Sequence, residues 1–149
     1  MQEISCYPLQ WPPGWRRSRD PKPGHFGRQE DVIRDGQPRW KRKRDLTVAE
    51  ALGRILDTLE RMGVGRDEVA ISTNVPVRLD GLPRGNAVEP DDSGAAVYWR
   101  NGKSGTRCMA VDRYDRVADN LAAVAATLEA MRSIERHGGA AILDRAFIG

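Results

Sequence analysis

The sequence predicts an α+β fold, a two-layer sandwich in which a small, mostly antiparallel sheet carries two main helices. An extended, proline-rich basic arm precedes it. Three observations lead there. Two stretches repeat apolar residues at spacings of four and three, three short stretches alternate apolar with polar residues, and six of the nine prolines fall within residues 1–45. The arm is therefore assigned to 1–45 and the folded domain to 46–149.

In the arm, Pro8, Pro12, Pro13, Pro21, Pro23 and Pro38 each lack a backbone donor. Gly14, Gly24, Gly27 and Gly36 add chain entropy. Together they disfavour a long helix or a central strand. Trp11, Trp15, Phe26 and Trp40 lie in the same stretch, which predicts partial anchoring by aromatics, and the arm ends in Lys41-Arg42-Lys43-Arg44.

At Thr47 the texture changes. Thr47-Val48-Ala49-Glu50 fits a capping box, and Val48, Leu52, Ile55, Leu59 and Met62 make one apolar stripe, so a helix is predicted over 47–62 with Gly63 and Gly65 as its stop. Val69, Ile71 and Thr73 alternate with Ala70, Ser72 and Asn74 as a half-buried strand over 69–74 would. Residues 78–94 read as loop, being rich in Gly, Pro and Asp. Ala95–Arg100 and Thr106–Val111 flank the Gly-rich stretch Asn101-Gly102-Lys103-Ser104-Gly105, which predicts a β-hairpin over 95–111. A second helix follows over 115–137, its stripe formed by Val117, Leu121, Val124, Leu128 and Met131 and its cap by Asp112 or Asp115. Ala140–Phe147 has room for one more short helix.

Composition excludes several classes. Apolar residues at 40% suffice for a core, and no run approaches the roughly 20 apolar residues that span a bilayer. The N-terminus has no signal-peptide pattern. Two cysteines, Cys6 and Cys108, make no disulfide framework, and two histidines, His25 and His137, are too few for a histidine-based metal site. A reduced cytoplasmic protein without a membrane partner is expected.

The net charge of +3 conceals an asymmetry. Residues 1–44 hold 11 Lys/Arg and 5 Asp/Glu, net +6, whereas residues 45–149 hold 13 and 16, net −3. In the arm, Arg16, Arg17, Arg19, Lys22, Arg28, Arg34, Arg39 and Lys41, Arg42, Lys43 and Arg44 interleave with Trp11, Trp15 and Trp40. Cations beside aromatic faces are what single-stranded nucleic acid requires, one for phosphate and the other for stacking. The same charge suits an acidic host protein. Arg84 in the 78–94 loop and Lys103 at the hairpin tip extend the candidate surface.

Three catalytic constellations compete with blander roles. Gly102-Lys103-Ser104 resembles the end of a phosphate-binding loop, but Val97 stands where that loop requires glycine. Cys108 with His137 or His25 would need an oxyanion hole that nothing local supplies. Asp91, Asp92 and Asp112 fall at adjoining strand ends, as the carboxylates of a Mg²⁺-dependent nuclease of the PD-(D/E)xK type do, but Tyr114 occupies the position of its lysine. No cofactor is expected otherwise.

Several stretches match a known group. They are Tyr7-Pro8-Leu9-Gln10-Trp11-Pro12, Gly14-Trp15-Arg16-Arg17, Arg78-Leu79-Asp80-Gly81-Leu82-Pro83, Pro90-Asp91-Asp92-Ser93-Gly94-Ala95-Ala96-Val97-Tyr98, and 112–121, which begins Asp112-Arg113-Tyr114-Asp115. The chain resembles the N-terminal region of phage and prophage proteins known as J-domain-containing. The His-Pro-Asp motif of a J domain is absent, so chaperone recruitment is not carried over. What the resemblance implies is a mobile-element origin. The leading expectation is then a non-enzymatic phage module that binds nucleic acid or a host protein. The alternatives are an inhibitor of a host defence complex, and the nuclease.

Overall fold

A computed structural model describes residues 3–24, 26–100 and 105–139, with 28–30 and 41–43 described by backbone alone. Lys103, His25 and the short helix expected over 140–147 lie outside the described residues. The elements in order are β1 (Arg28–Arg34), β2 (Gln37–Arg44), α1 (Val48–Arg61), β3 (Val69–Thr73), β4 (Ala95–Arg100), β5 (Thr106–Val111) and α2 (Val117–Arg136). They make an α+β fold with two antiparallel sheets, β1-β2 and β3-β4-β5.

Strand alternation assigns the three-stranded sheet two faces. Ile71, Val97 and Met109 are cross-strand neighbours on one face, and Ala70, Tyr98 and Cys108 on the other. The first face meets Leu52, Ile55, Leu56 and Leu59 of α1 and Leu121, Val124, Ala125 and Leu128 of α2 in the main core. Each of the leucine, isoleucine and valine side chains among them, fully buried, contributes about 1.5–3 kcal/mol. The capping box at Thr47 and Glu50 forms, closing the first turn of α1. No helix among the described residues is long and apolar enough to cross a membrane.

The sheet's second face is covered as well. Ala96, Tyr98 and Ala110 bury against Ile4, Leu9 and Trp11 in a separate small cluster. This explains why β4 is buried at all but its last residue: the central strand is covered on both sides.

The stretch read as one extended arm is thus two structures. Residues 3–24 form a strap. The amide of Leu9 donates to Asn74 Oδ1 (3.0 Å), that of Gln10 to Ser72 Oγ (2.7 Å), and Cys6 O accepts from the Thr73 amide (3.1 Å). Further on, Lys22 exchanges backbone hydrogen bonds with Arg113 and Asp115. Gly24 passes so close to α2 that a Cβ there would lie 2.7 Å from Asp119 Cγ.

Residues 28–44 form the other structure, an antiparallel ribbon of β1 and β2. Its turn is Asp35-Gly36, both at positive φ (55° and 75°), the backbone a two-residue type I′ turn requires. Val32 pairs with Trp40 and Ile33 with Pro38, so Arg39 is the extra residue of a bulge. Proline is tolerated there because the ladder is already interrupted.

Candidate functional site

Asp112 ends β5 and Asp92 closes the long loop before β4, and the fold brings both to the same guanidinium. Arg17 Nε donates to Asp112 Oδ2 at 2.8 Å, and its NH2 group donates to Asp92 Oδ1. The Ser18 amide adds a second bond to Asp112 Oδ2 (2.7 Å), and the Gly94 amide reaches Asp92 Oδ1 (3.1 Å). Trp11 packs beneath Arg17, its ring centroid 4.4 Å from the guanidinium carbon, and its Nε1 donates to Trp15 O (2.8 Å). Partial burial works to lower the Arg17 pKa, but the hydrogen bonds and charges of the two carboxylates raise it overall. The carboxylates expected to gather a metal therefore converge on a cation supplied by the chain itself. Among the described residues, no group of three or more His, Cys, Asp or Glu side chains is placed to hold a metal ion.

Below this cluster lies a buried polar knot. Asn120, fully buried on α2, donates to Ser93 O (2.8 Å) and Tyr114 O (3.0 Å) and accepts from the Tyr114 amide (2.9 Å). Ser93 Oγ donates to Tyr114 O (2.6 Å). Among the described residues no buried side-chain polar atom lacks a partner, which is how such a knot persists in a core. The start of α2 corrects an expectation. Glu89 from the 78–94 loop accepts from the Val117 amide at 2.6 Å, while Asp112, expected as a cap, is committed to Arg17 and Ser18. Neither Asp112 nor Asp115 supplies a side-chain cap.

The remaining candidates separate by location. Trp11 is half-buried in the strap, and Arg16 and Trp15 are exposed beside it. Arg84 is exposed on the 78–94 loop, its Nε directed at Val77 O (3.4 Å), and Asp91 is exposed nearby. Trp40 is exposed on the ribbon with Arg34 stacked over it at 5.8 Å, and Ile33 is 65% exposed. Lys41, Arg42 and Lys43 occupy consecutive positions of β2. Arg44, the last residue of the ribbon, forms a two-pronged ion pair with Glu50 on α1 (2.8 and 3.1 Å). That pair, with Thr47, holds the Glu50 carboxyl down to about 2.

What sequence reasoning missed is the ribbon's turn and the exposure of Ile33 at its end. Asp35-Gly36 between two β-compatible runs was the available signal. Comparison with models of protein families, with curated proteins and with solved structures finds no match to this chain.

Proposed function

We propose that this chain is a non-enzymatic nucleic-acid-binding module, of the phage or prophage kind its sequence resembles, and that the β1–β2 ribbon is its binding element. One observation carries the reading. β2 holds five Arg/Lys residues (Arg39, Lys41, Arg42, Lys43 and Arg44) and no acid, on a two-stranded ribbon none of whose described side chains belongs to either hydrophobic cluster. Cationic side chains on such a ribbon neutralise phosphates and release the counterions condensed around them, a gain that needs no pocket and no catalytic group. Arg17 in the strap and Arg44 at the root of the ribbon are ion-paired within the protein, so the proposed binding charge is that of Arg39, Lys41, Arg42 and Lys43.

The test is a titration of labelled nucleic acids at two salt concentrations. Affinity is expected to fall steeply with salt. The combined substitution Lys41→Gln, Arg42→Gln and Lys43→Gln is expected to reduce the salt slope by roughly one for each phosphate no longer neutralised. An unchanged slope in that variant, or no binding at low salt, overturns the reading and favours an acidic protein partner. Cleavage that requires Mg²⁺ and disappears in Asp112→Ala overturns the non-enzymatic part.

A further inference from the structure

Resting on that reading, we infer that the ribbon's ligand is double-stranded DNA, entered through the major groove with β2 leading. A single strand is held by successive aromatic platforms on which its bases stack. The ribbon has one aromatic residue, Trp40, with Arg34 over one side of its ring, and a single platform does not make a row. The strap's tryptophan nearest the sheet, Trp11, lies under Arg17. Trp11 and the exposed Trp15 both belong to the strap, so the ribbon itself offers no row of stacking platforms.

The distribution of charge points to a duplex. Successive residues of a strand belong to opposite faces, so the basic positions 41–43, beyond the Arg44–Glu50 pair, alternate between the two faces of the ribbon. A flat acidic surface would meet one face and leave the other unmatched. A groove presents phosphates on two walls.

The acids of β1 fit the same arrangement. Glu30 stands opposite Arg42 and Asp31 opposite Lys41, while Arg28 and Arg34 bring β1 to no net charge, so the ribbon's net positive charge is that of β2, the strand that leads.

Dimensions select the groove. A β layer with side chains on both faces is about 10 Å thick. The major groove of B-form DNA, about 12 Å wide, admits it, whereas the minor groove of about 6 Å does not. An RNA duplex has a deep, narrow major groove that the same ribbon cannot enter.

The experiment compares, at one salt concentration, the intact protein's affinity for a short DNA duplex, its separated strands, and an RNA duplex of the same sequence. Duplex DNA is expected to bind at least about tenfold more tightly than either alternative. Netropsin, which fills the minor groove, is expected not to compete, whereas bulky glucosyl groups on the major-groove edge of cytosine are expected to weaken binding. Equal or tighter binding to single strands or RNA overturns the duplex assignment, and competition by netropsin or indifference to the glucosyl groups overturns the major-groove assignment; either leaves the ribbon as the binding element. Absence of binding to all three overturns the ribbon reading along with it.

Discussion

Arg17 and Arg34 each stack on a tryptophan, but only Arg17 meets Asp92 and Asp112. The strap and the ribbon to which they belong are adjacent in sequence, and both combine tryptophan with several arginines. In the strap, the sheet offers acceptors and apolar surface in register with the chain: Ser72 and Asn74 for its amides, Ala96 and Tyr98 for its side chains. Among the described residues the ribbon meets the domain at the Arg44–Glu50 pair, and it satisfies its backbone by pairing with itself. Composition describes what a segment can contact. The groups facing it decide whether it becomes part of the fold or remains available to a partner.

The largest test of this contrast is tryptophan removal. Trp11→Ala strips packing from the second cluster and the platform under Arg17, and is expected to destabilise the fold by about 2–3 kcal/mol, below the full value for a buried aromatic because Trp11 is only half-buried. Trp40→Ala is expected to change global stability by less than about 0.5 kcal/mol. Urea unfolding of both variants decides the matter. Equal losses would mean that the ribbon is structural too.

The two carboxylates that hold Arg17 are expected to differ. Asp112, with a side chain 11% exposed, accepts from both Arg17 and the Ser18 amide, and Asp112→Ala is expected to cost about 2 kcal/mol. Asp92, 42% exposed, is more strongly screened by solvent, so Asp92→Ala is expected to cost about 0.5–1 kcal/mol. A thermal-shift series with both single variants and the Arg17→Ala partner measures this. A larger loss for Asp92 than for Asp112 would contradict the ranking.

Two glycines sharpen the contrast further. Gly24→Ala places a Cβ against Asp119, and is expected to lower global stability by about 1–2 kcal/mol through overpacking. Gly36→Ala strains the ribbon's turn and is expected to raise amide hydrogen exchange in β1 and β2 while the melting of the main core stays in place. Protection lost across β3–β5 in the Gly36 variant would show that ribbon and core unfold together.

How much of this was legible follows the range of the interactions. α1 could be read from its own residues, because its apolar stripe and its capping box are both local. The ribbon could also have been read locally, from Asp35-Gly36. Proline density obscured it, since the bulge that makes Pro38 tolerable is a property of the pairing and not of either strand. Asp92 and Asp112 were recognisable as carboxylates brought together at strand ends. That Arg17, 95 positions from Asp112, fills the space between them depends on how the strap is threaded. The same holds for Glu89 at the start of α2.

The smallest effect concerns the junction of ribbon and domain. Glu50 has its folded-state pKa lowered from 4.5 to about 2, chiefly by the hydrogen bond from Arg44, with Thr47 assisting and desolvation opposing. A carboxyl group with a depressed folded pKa stabilises the fold above its unfolded pKa, and that contribution is lost as pH falls through the folded value. The contribution is therefore complete above about pH 4.5 and fades toward pH 2. Because Glu50 both caps α1 and fixes the last residue of β2, protonation releases the root of the ribbon together with the first turn of the helix. Glu50→Gln keeps much of the shape but removes the charge, so its stability is expected to depend less on pH across that interval than that of the unmodified chain. Identical acid limbs for the two proteins, followed by circular dichroism, would show that Arg44 is held to α1 by something other than this carboxylate.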